Sequence, residues 1–335
     1  MAVPSIPSAR RRILFRVVLG IAAVVFLTQL LAWNHARRFM TFSEATVRTR
    51  PPESLGRLER LGVLVRGVDF PRPGNHRTPR DLGLEFETLQ ISASSDVLLE
   101  TWRLPAPKGG PTRGVILLFH GYGGSKDGLL GMGEAYHRMG LEVWLTDFRG
   151  VGGSSGNTTS LGYHEAEDVR AVFAAASSRA AGIPVFLHGA SMGAAAVMRA
   201  VGELGIEPRG IVGECTFARF QDAVENRFAA MGLPRNPGGW LLTFWGGRVA
   251  GFNGFRHQPV GYLRRIRVPV LLIHGERDTR VRSEEAEELK RAAAGPVTLV
   301  RLTDSGHEGG LATSPAEWTK AVEEFLSGTL ASPSR

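Results

Sequence analysis

The chain of 335 residues is long enough for one large α/β domain plus an appendage, and 43% hydrophobic with 21% charged residues excludes a disordered or low-complexity protein. Its single cysteine, Cys215, excludes an intrachain disulfide. The net charge of +8 belongs to one end: residues 1–80 hold 14 Arg against 4 acidic residues, net +10, and the remainder nets −2. A basic flank beside an apolar segment suits an anionic membrane surface rather than nucleic acid, so no nucleic-acid partner is expected.

Residues 1–12 read as a basic tail ending in Arg10, Arg11 and Arg12. Residues 13–33 follow as a nearly uninterrupted apolar run, with Arg16 and Gln29 near its ends and Trp33 where an interfacial aromatic belongs. About 20 apolar residues cross a hydrocarbon core, so this run is expected to be a single-pass transmembrane anchor. A cleaved signal peptide is the competing reading; the stretch is long for one, and residues 32–36 offer no small-x-small site. Arg10, Arg11, Arg12 and Arg16 oppose Arg37, Arg38, Arg48 and Arg50 across the span, and the tighter first cluster favours an inside N-terminus with an extracytoplasmic body. Residues 34–78 read as a connecting arm rich in Arg and Pro.

The body is expected over 79–330. Two strands near 86–91 and 97–103 are joined by a turn at Ser94, Ser95 and Asp96. Short apolar runs then alternate with helical segments. The runs are 115–119, 143–145, 185–187, 211–212, 268–273 and 297–300; the helices lie near 127–139, 164–180, 192–204, 283–294 and 315–327. Near-continuous apolar strands between helices mean a mostly parallel sheet covered on both faces. The interval 216–262 breaks the alternation. It has no strand pattern and many large apolar residues, and it reads as a helical cap over the catalytic face, with Trp240, Phe244 and Trp245 as candidate substrate contacts. An ordinary helical excursion that buries its aromatics in the core is the alternative.

The most informative stretch is Gly189-Ala190-Ser191-Met192-Gly193, preceded by the apolar run 185–187 and followed by the helix-forming 194–198. Strand, Gly-x-Ser-x-Gly, helix is the pattern of a nucleophile elbow, which holds its serine in a strained turn at the carboxyl end of a sheet. The motif alone is weak in a chain with 42 glycines. A second match, at 152–156, has no strand running into it and no helix after it, and reads as a polar loop.

Acyl transfer needs backbone donors for the oxyanion. One is expected from Met192, just after the nucleophile, and the other from the glycine-rich turn at His120-Gly121-Tyr122, as the N–H of Tyr122. His120 reads as a structural hydrogen-bonder of that turn. The candidate acid is Asp278, a few residues past a strand, with Glu276 and Asp304 as alternatives, and the candidate base is His307 in the loop after the last strand. Ser191, Asp278 and His307 stand in the chain order that accompanies a nucleophile elbow.

On the His120-Gly121 turn, Asp147-Phe148-Arg149-Gly150 with Gly152-Gly153-Ser154, the elbow, the turn at 275–278 and Gly306-His307, the chain resembles the α/β-hydrolase superfamily from about residue 79 to 328. The likeness is greatest to its serine aminopeptidase-like and monoacylglycerol lipase-like, or Bem46-like, branch. The resemblance implies an eight-stranded sheet whose second strand is antiparallel, and a Ser-His-Asp hydrolase with neither metal nor organic cofactor.

The expected function is a membrane-anchored serine hydrolase that cleaves small-molecule acyl esters or lipids. A thioesterase or a serine peptidase of the same fold is an alternative; for an aminopeptidase, only Glu214 and Glu308 offer themselves to bind a free amine. A non-catalytic binding protein of this fold is the alternative of another class, against which an intact set of three residues argues.

Overall fold

The computed structural model describes residues 8–44, 47, 49–50 and 55–331. Residues 1–7 of the expected basic tail and parts of the arm at 45–46, 48 and 51–54 lie outside the described residues.

The strands are β1 (Glu87–Ser94), β2 (Val97–Leu104), β3 (Val115–Phe119), β4 (Glu142–Thr146), β5 (Val185–Ala190), β6 (Gly210–Glu214), β7 (Val270–Gly275) and β8 (Val297–Leu302). They form one eight-stranded sheet in the order β1-β2-β4-β3-β5-β6-β7-β8. Strand β2 is antiparallel to both its neighbours and the pairs from β4 to β8 are parallel, so the fold expected from the sequence is the one observed. Parallel strands have two faces to bury, and the residues of β3 show both. Val115, Leu117 and Phe119 enter one core with Leu187 and Met198, while Ile116 and Leu118 enter the other with Val143, Leu145 and Trp318.

Helices cover the two faces. They are α1 (Ser8–Met40), α2 (Arg57–Arg66), α3 (Leu130–Arg138), α4 (Glu165–Arg179), α5 (Met192–Gly202), α6 (Phe220–Ala230), α7 (Gly238–Val249), α8 (Pro259–Leu263), α9 (Ser283–Ala292), α10 (Gly310–Thr313) and α11 (Pro315–Ala331). Helices α6, α7 and α8 fill the interval between β6 and β7, where the sequence has no strand pattern.

Helix α1 departs from the expected boundary. The apolar run stops at Trp33, but the helix continues to Met40, into the stretch expected to be a connecting arm. At about 1.5 Å per residue its 33 residues exceed a hydrocarbon core of about 30 Å. The surplus docks on the body. Residues 9–28 are exposed all round, whereas Ala32, Ala36 and Met40 are buried and Gln29 is half-buried. Those four share one helical face, and that face meets α7. Among the described residues α1 is the one helix long and apolar enough to cross a membrane.

The arm also lies along the body. Phe42 N–H donates to Asn157 O at 2.7 Å, Arg72 reaches the carbonyls of Gly150 and Ser154, and Asn75 donates to Asp147 at 2.7 Å.

Candidate active site

Ser191 stands between β5 and α5 with φ +52° and ψ −111°, a conformation non-glycine residues adopt at a cost of about 1–3 kcal/mol. The two flanking glycines make the turn possible. A Cβ on Gly189 would fall 2.3 Å from the carbonyl carbon of Gly193, and one on Gly193 would fall 2.3 Å from Phe119 O. The strained backbone is held by a hydrogen bond from Ser191 N–H to Glu214 O at 2.7 Å.

His307 and Asp278 reach the same place from the ends of β8 and β7. His307 Nε2 lies 3.1 Å from Ser191 Oγ, and His307 Nδ1 lies 2.7 Å from Asp278 Oδ2. The other Asp278 oxygen accepts the backbone N–H groups of Arg280 and Val281 at 2.8 and 2.9 Å. Burial pushes the Asp278 carboxyl up, but the His307 hydrogen bond and charge and those two N–H groups outweigh it, and the group sits below the usual carboxylate range. An ionised Asp278 accepts the Nδ1 proton and leaves Nε2 as the acceptor facing Ser191. The alternatives lie elsewhere: Glu276 is exposed at the strand exit, and Asp304 is exposed and paired with Arg277.

The turn after β3 lies against the elbow. A Cβ on Gly121 would meet Ser191 Cβ at 3.6 Å, so the turn that carries Tyr122 is packed close to the serine. His120 is buried. Phe148 N–H donates to its Nε2 at 3.1 Å, so its Nδ1 carries the proton and donates to Gly121 O at 2.8 Å. Burial holds its pKa below the ordinary value, which keeps this neutral tautomer. It fastens the turn, the role its sequence context suggests.

The profile of the family described as "Serine aminopeptidase, S33" matches residues 110–236. Protein YqkD of Bacillus subtilis is 27% identical over 192 residues, covering 56% of this chain and 63% of that protein, under two thirds of its length. Protein bem46 of Schizosaccharomyces pombe is 20% identical over 220 residues, covering 64% and 69%. The esterase Pf2001 of Pyrococcus furiosus superposes with a TM-score of 0.65 at 26% identity, covering 77% of this chain and 96% of that one. The chain has the α/β-hydrolase fold and is similar to the Bem46-like branch of that superfamily.

In this α/β-hydrolase fold the second Gly-x-Ser-x-Gly match does structural work. Ser154 Oγ and Ser155 Oγ each accept a β2 backbone N–H at 2.9 Å, from Glu100 and Leu98, so the loop caps the strand. Beneath it Lys126 is wholly buried, with Nζ between Asp147 and Glu100 and 4.2 Å from the centre of the Trp102 ring. Nothing local in the sequence marks that lysine as buried.

Glu214, one of the two acids considered for an amine, is buried with its Oε1 accepting Gly310 N–H. Its Oε2 lies 3.3 Å from His188 Nε2, and His188 Nδ1 lies 2.8 Å from Tyr136 O–H. Glu308 is exposed and accepts Gly306 N–H. The aromatics of 216–262 face α1 in part. Trp245 donates to Gln29 at 2.8 Å, and Trp240, half-exposed, stacks on Phe244 with centroids 5.8 Å apart.

Cys215, Asp278 and His307 bring ligand atoms within 4.8 Å of one another. They make a poor metal site. Burial, then the charges of Glu214 and Asp278, push the Cys215 thiol well above its usual value and keep it protonated, and Asp278 already occupies His307 Nδ1.

Proposed function

We propose that this α/β-hydrolase is a membrane-anchored serine hydrolase that cleaves carboxylic esters of acyl or lipid type through an acyl-enzyme. The observation that carries the reading is the hydrogen-bonded chain from Ser191 Oγ through His307 to Asp278, at 3.1 and 2.7 Å, on a strained elbow at the carboxyl end of the sheet. His307 Nε2 takes the Ser191 proton as Oγ bonds to the ester carbon, and the carbonyl electron pair moves onto oxygen. The N–H groups of Tyr122 and Met192 bind that oxyanion, helped by the positive end of α5. On collapse the alcohol leaves with the proton held by His307. Water, deprotonated by His307, then attacks the acyl-enzyme and releases the acid. Asp278 holds the imidazole tautomer and stabilises the imidazolium.

Membrane anchoring is supported by α1, whose residues 9–28 are exposed all round in a helix long enough to span. The tight Arg10, Arg11, Arg12 and Arg16 cluster argues for an inside N-terminus and an extracytoplasmic body. An apolar acyl site under α6 and α7, reached by Trp240, Phe244 and Trp245, is part of the same reading. An aminopeptidase is the second reading, favoured by the likeness of residues 110–236 to the serine aminopeptidase family.

The test uses the full chain in detergent. A fluorophosphonate is expected to label it and not its Ser191→Ala variant; equal labelling of the two refutes the nucleophile. A chain-length series of p-nitrophenyl esters beside aminoacyl p-nitroanilides then decides between the readings. Higher kcat/KM on the anilides overturns the esterase in favour of the peptidase.

A further inference from the structure

Helix α1 ends at Met40, and a helix end leaves its last carbonyls without intrahelical partners. Two of those carbonyls are satisfied by the catalytic face. Phe39 O accepts the Tyr122 hydroxyl at 2.9 Å, and Met40 O accepts Thr159 N–H at 2.9 Å. Thr159 gives its own hydroxyl proton to Glu165 at 2.7 Å, and its oxygen rests 3.4 Å from Met192 Sδ. Thus consecutive residues at the end of the apolar helix reach Tyr122 directly and Met192 through one intermediary.

Side chains reinforce the attachment. Phe42 and Phe70 pack on the Tyr122 ring with centroids 5.9 and 5.4 Å away, and the Arg227 guanidinium lies over both the Tyr122 and Phe39 rings. Met40 is buried in a cluster with Ala195 of α5, Phe217, Phe220, Phe252 and Val281, three residues past Asp278. Its Cε lies against Gly246 of α7, where a Cβ would approach to 3.0 Å. Phe42 N–H and an isolated bridge between Thr41 and Thr158 tie the next two residues to the loop that carries Thr159.

We infer that the end of the apolar helix and the two residues after it, Phe39 to Phe42, form a positioning element of the active site, holding the turn of Tyr122 and the neighbourhood of Met192 in register with Ser191. The inference rests on the reading of those two residues as oxyanion donors. A glycine-rich turn has little side-chain packing of its own, and an oxyanion hole is effective only when its donors are fixed before the reaction. The spanning helix thereby does more than tether the enzyme: its docking on the body sets the geometry of the donors.

The experiment is made on the full chain in detergent with two variants. Tyr122→Phe removes the hydroxyl that donates to Phe39 O and keeps the ring and the peptide N–H. Phe42→Ala removes the packing on that ring. Val24→Ala, on the exposed part of α1, is the control. Each variant is expected to lower kcat for an acetyl ester about tenfold with KM held within about twofold, a fraction of the 10²–10³ that loss of a whole oxyanion donor costs. Hydrogen exchange of the amides at 120–124 is expected to quicken in both; thermal unfolding stays near that of the control for Tyr122→Phe and falls for Phe42→Ala, whose side chain is buried, so Tyr122→Phe separates positioning from global stability. Parental kcat together with parental exchange overturns the inference. If the parent turns over no ester, the reaction assigned above fails, and exchange alone decides: faster exchange at 120–124 upholds the clamp and parental exchange overturns it.

Discussion

Glu214 holds Ser191 through its backbone and Gly310 through its side chain. The carbonyl of Glu214 accepts the Ser191 N–H at 2.7 Å, and the buried carboxylate of the same residue accepts the N–H of Gly310, three residues past His307. One residue at the end of β6 therefore ties the elbow to the loop of the candidate base. Burial acts to raise the Glu214 carboxyl, but His188 and the Gly310 N–H outweigh it, and the group stays below its usual range. Glu214→Leu removes the acceptor and leaves Gly310 N–H buried and unpaired. It is expected to cost about 3 kcal/mol of stability and to lower kcat, whereas Glu214→Gln keeps an oxygen for Gly310 and loses less. Urea unfolding and ester turnover of both variants check this; equal effects of Leu and Gln would remove the carboxylate's role.

Asp278→Asn has a tautomeric consequence. Oδ1 is bound to Arg280 and Val281 N–H, so the asparagine oxygen takes that side and its NH₂ faces His307 Nδ1. Nδ1 must then accept, the proton moves to Nε2, and the ring can no longer take the Ser191 proton. Turnover is expected to fall roughly 10³–10⁴-fold with the fold intact. A variant that labels with fluorophosphonate at the parental rate contradicts the role given to Asp278.

Acid stability is expected to depend on His257. It is buried, donates Nε2–H to Leu161 O at 2.9 Å and accepts from Tyr262 O–H at 3.0 Å, and burial lowers its pKa to about 4. The unfolded chain takes up the proton first as pH falls, since its histidine titrates near 6.5. Stability is therefore whole above about pH 6.5 and declines toward pH 4, by about 3 kcal/mol from this group. His120 is shifted in the same direction, so the parent is compared with His257→Gln. The difference in unfolding free energy between them should shrink from pH 7.5 to 4.5; a constant difference rules out the linkage.

Lys126 predicts the largest stability loss. Its buried ammonium balances Asp147, itself buried, and Glu100. Lys126→Met leaves a buried carboxylate without its counter-charge and is expected to cost about 3–5 kcal/mol. Adding Asp147→Asn should return part of that loss, measured by thermal unfolding. A double variant no more stable than Lys126→Met would show that the lysine acts through packing alone.

The amino-acid sequence by itself determined the elements whose signals are local. A strand ending in Gly189, a serine and a helix-forming run specify the elbow, because the turn needs two positions without Cβ within five residues. Continuous apolar runs such as 115–119 and 185–187 specify strands buried on both faces, because the side-chain period of a strand is two and neither face is wet. The apolar run at 13–33 is legible from its length, since about 20 consecutive apolar residues in a helix match the thickness of a hydrocarbon core. Only the tertiary structure decided which of Glu276, Asp278 and Asp304 meets His307, since all three follow strands and only the fold of the loop after β7 turns Asp278 inward. Only it decided that Glu214 is consumed by Gly310, that Lys126 is buried, and that α1 runs on to Met40 and grips Tyr122. Those partners are separated by 96, 21 and 83 residues. Local propensity and periodicity carry no information over such separations; burial and pairing there are set by which surfaces the assembled sheet and helices bring together.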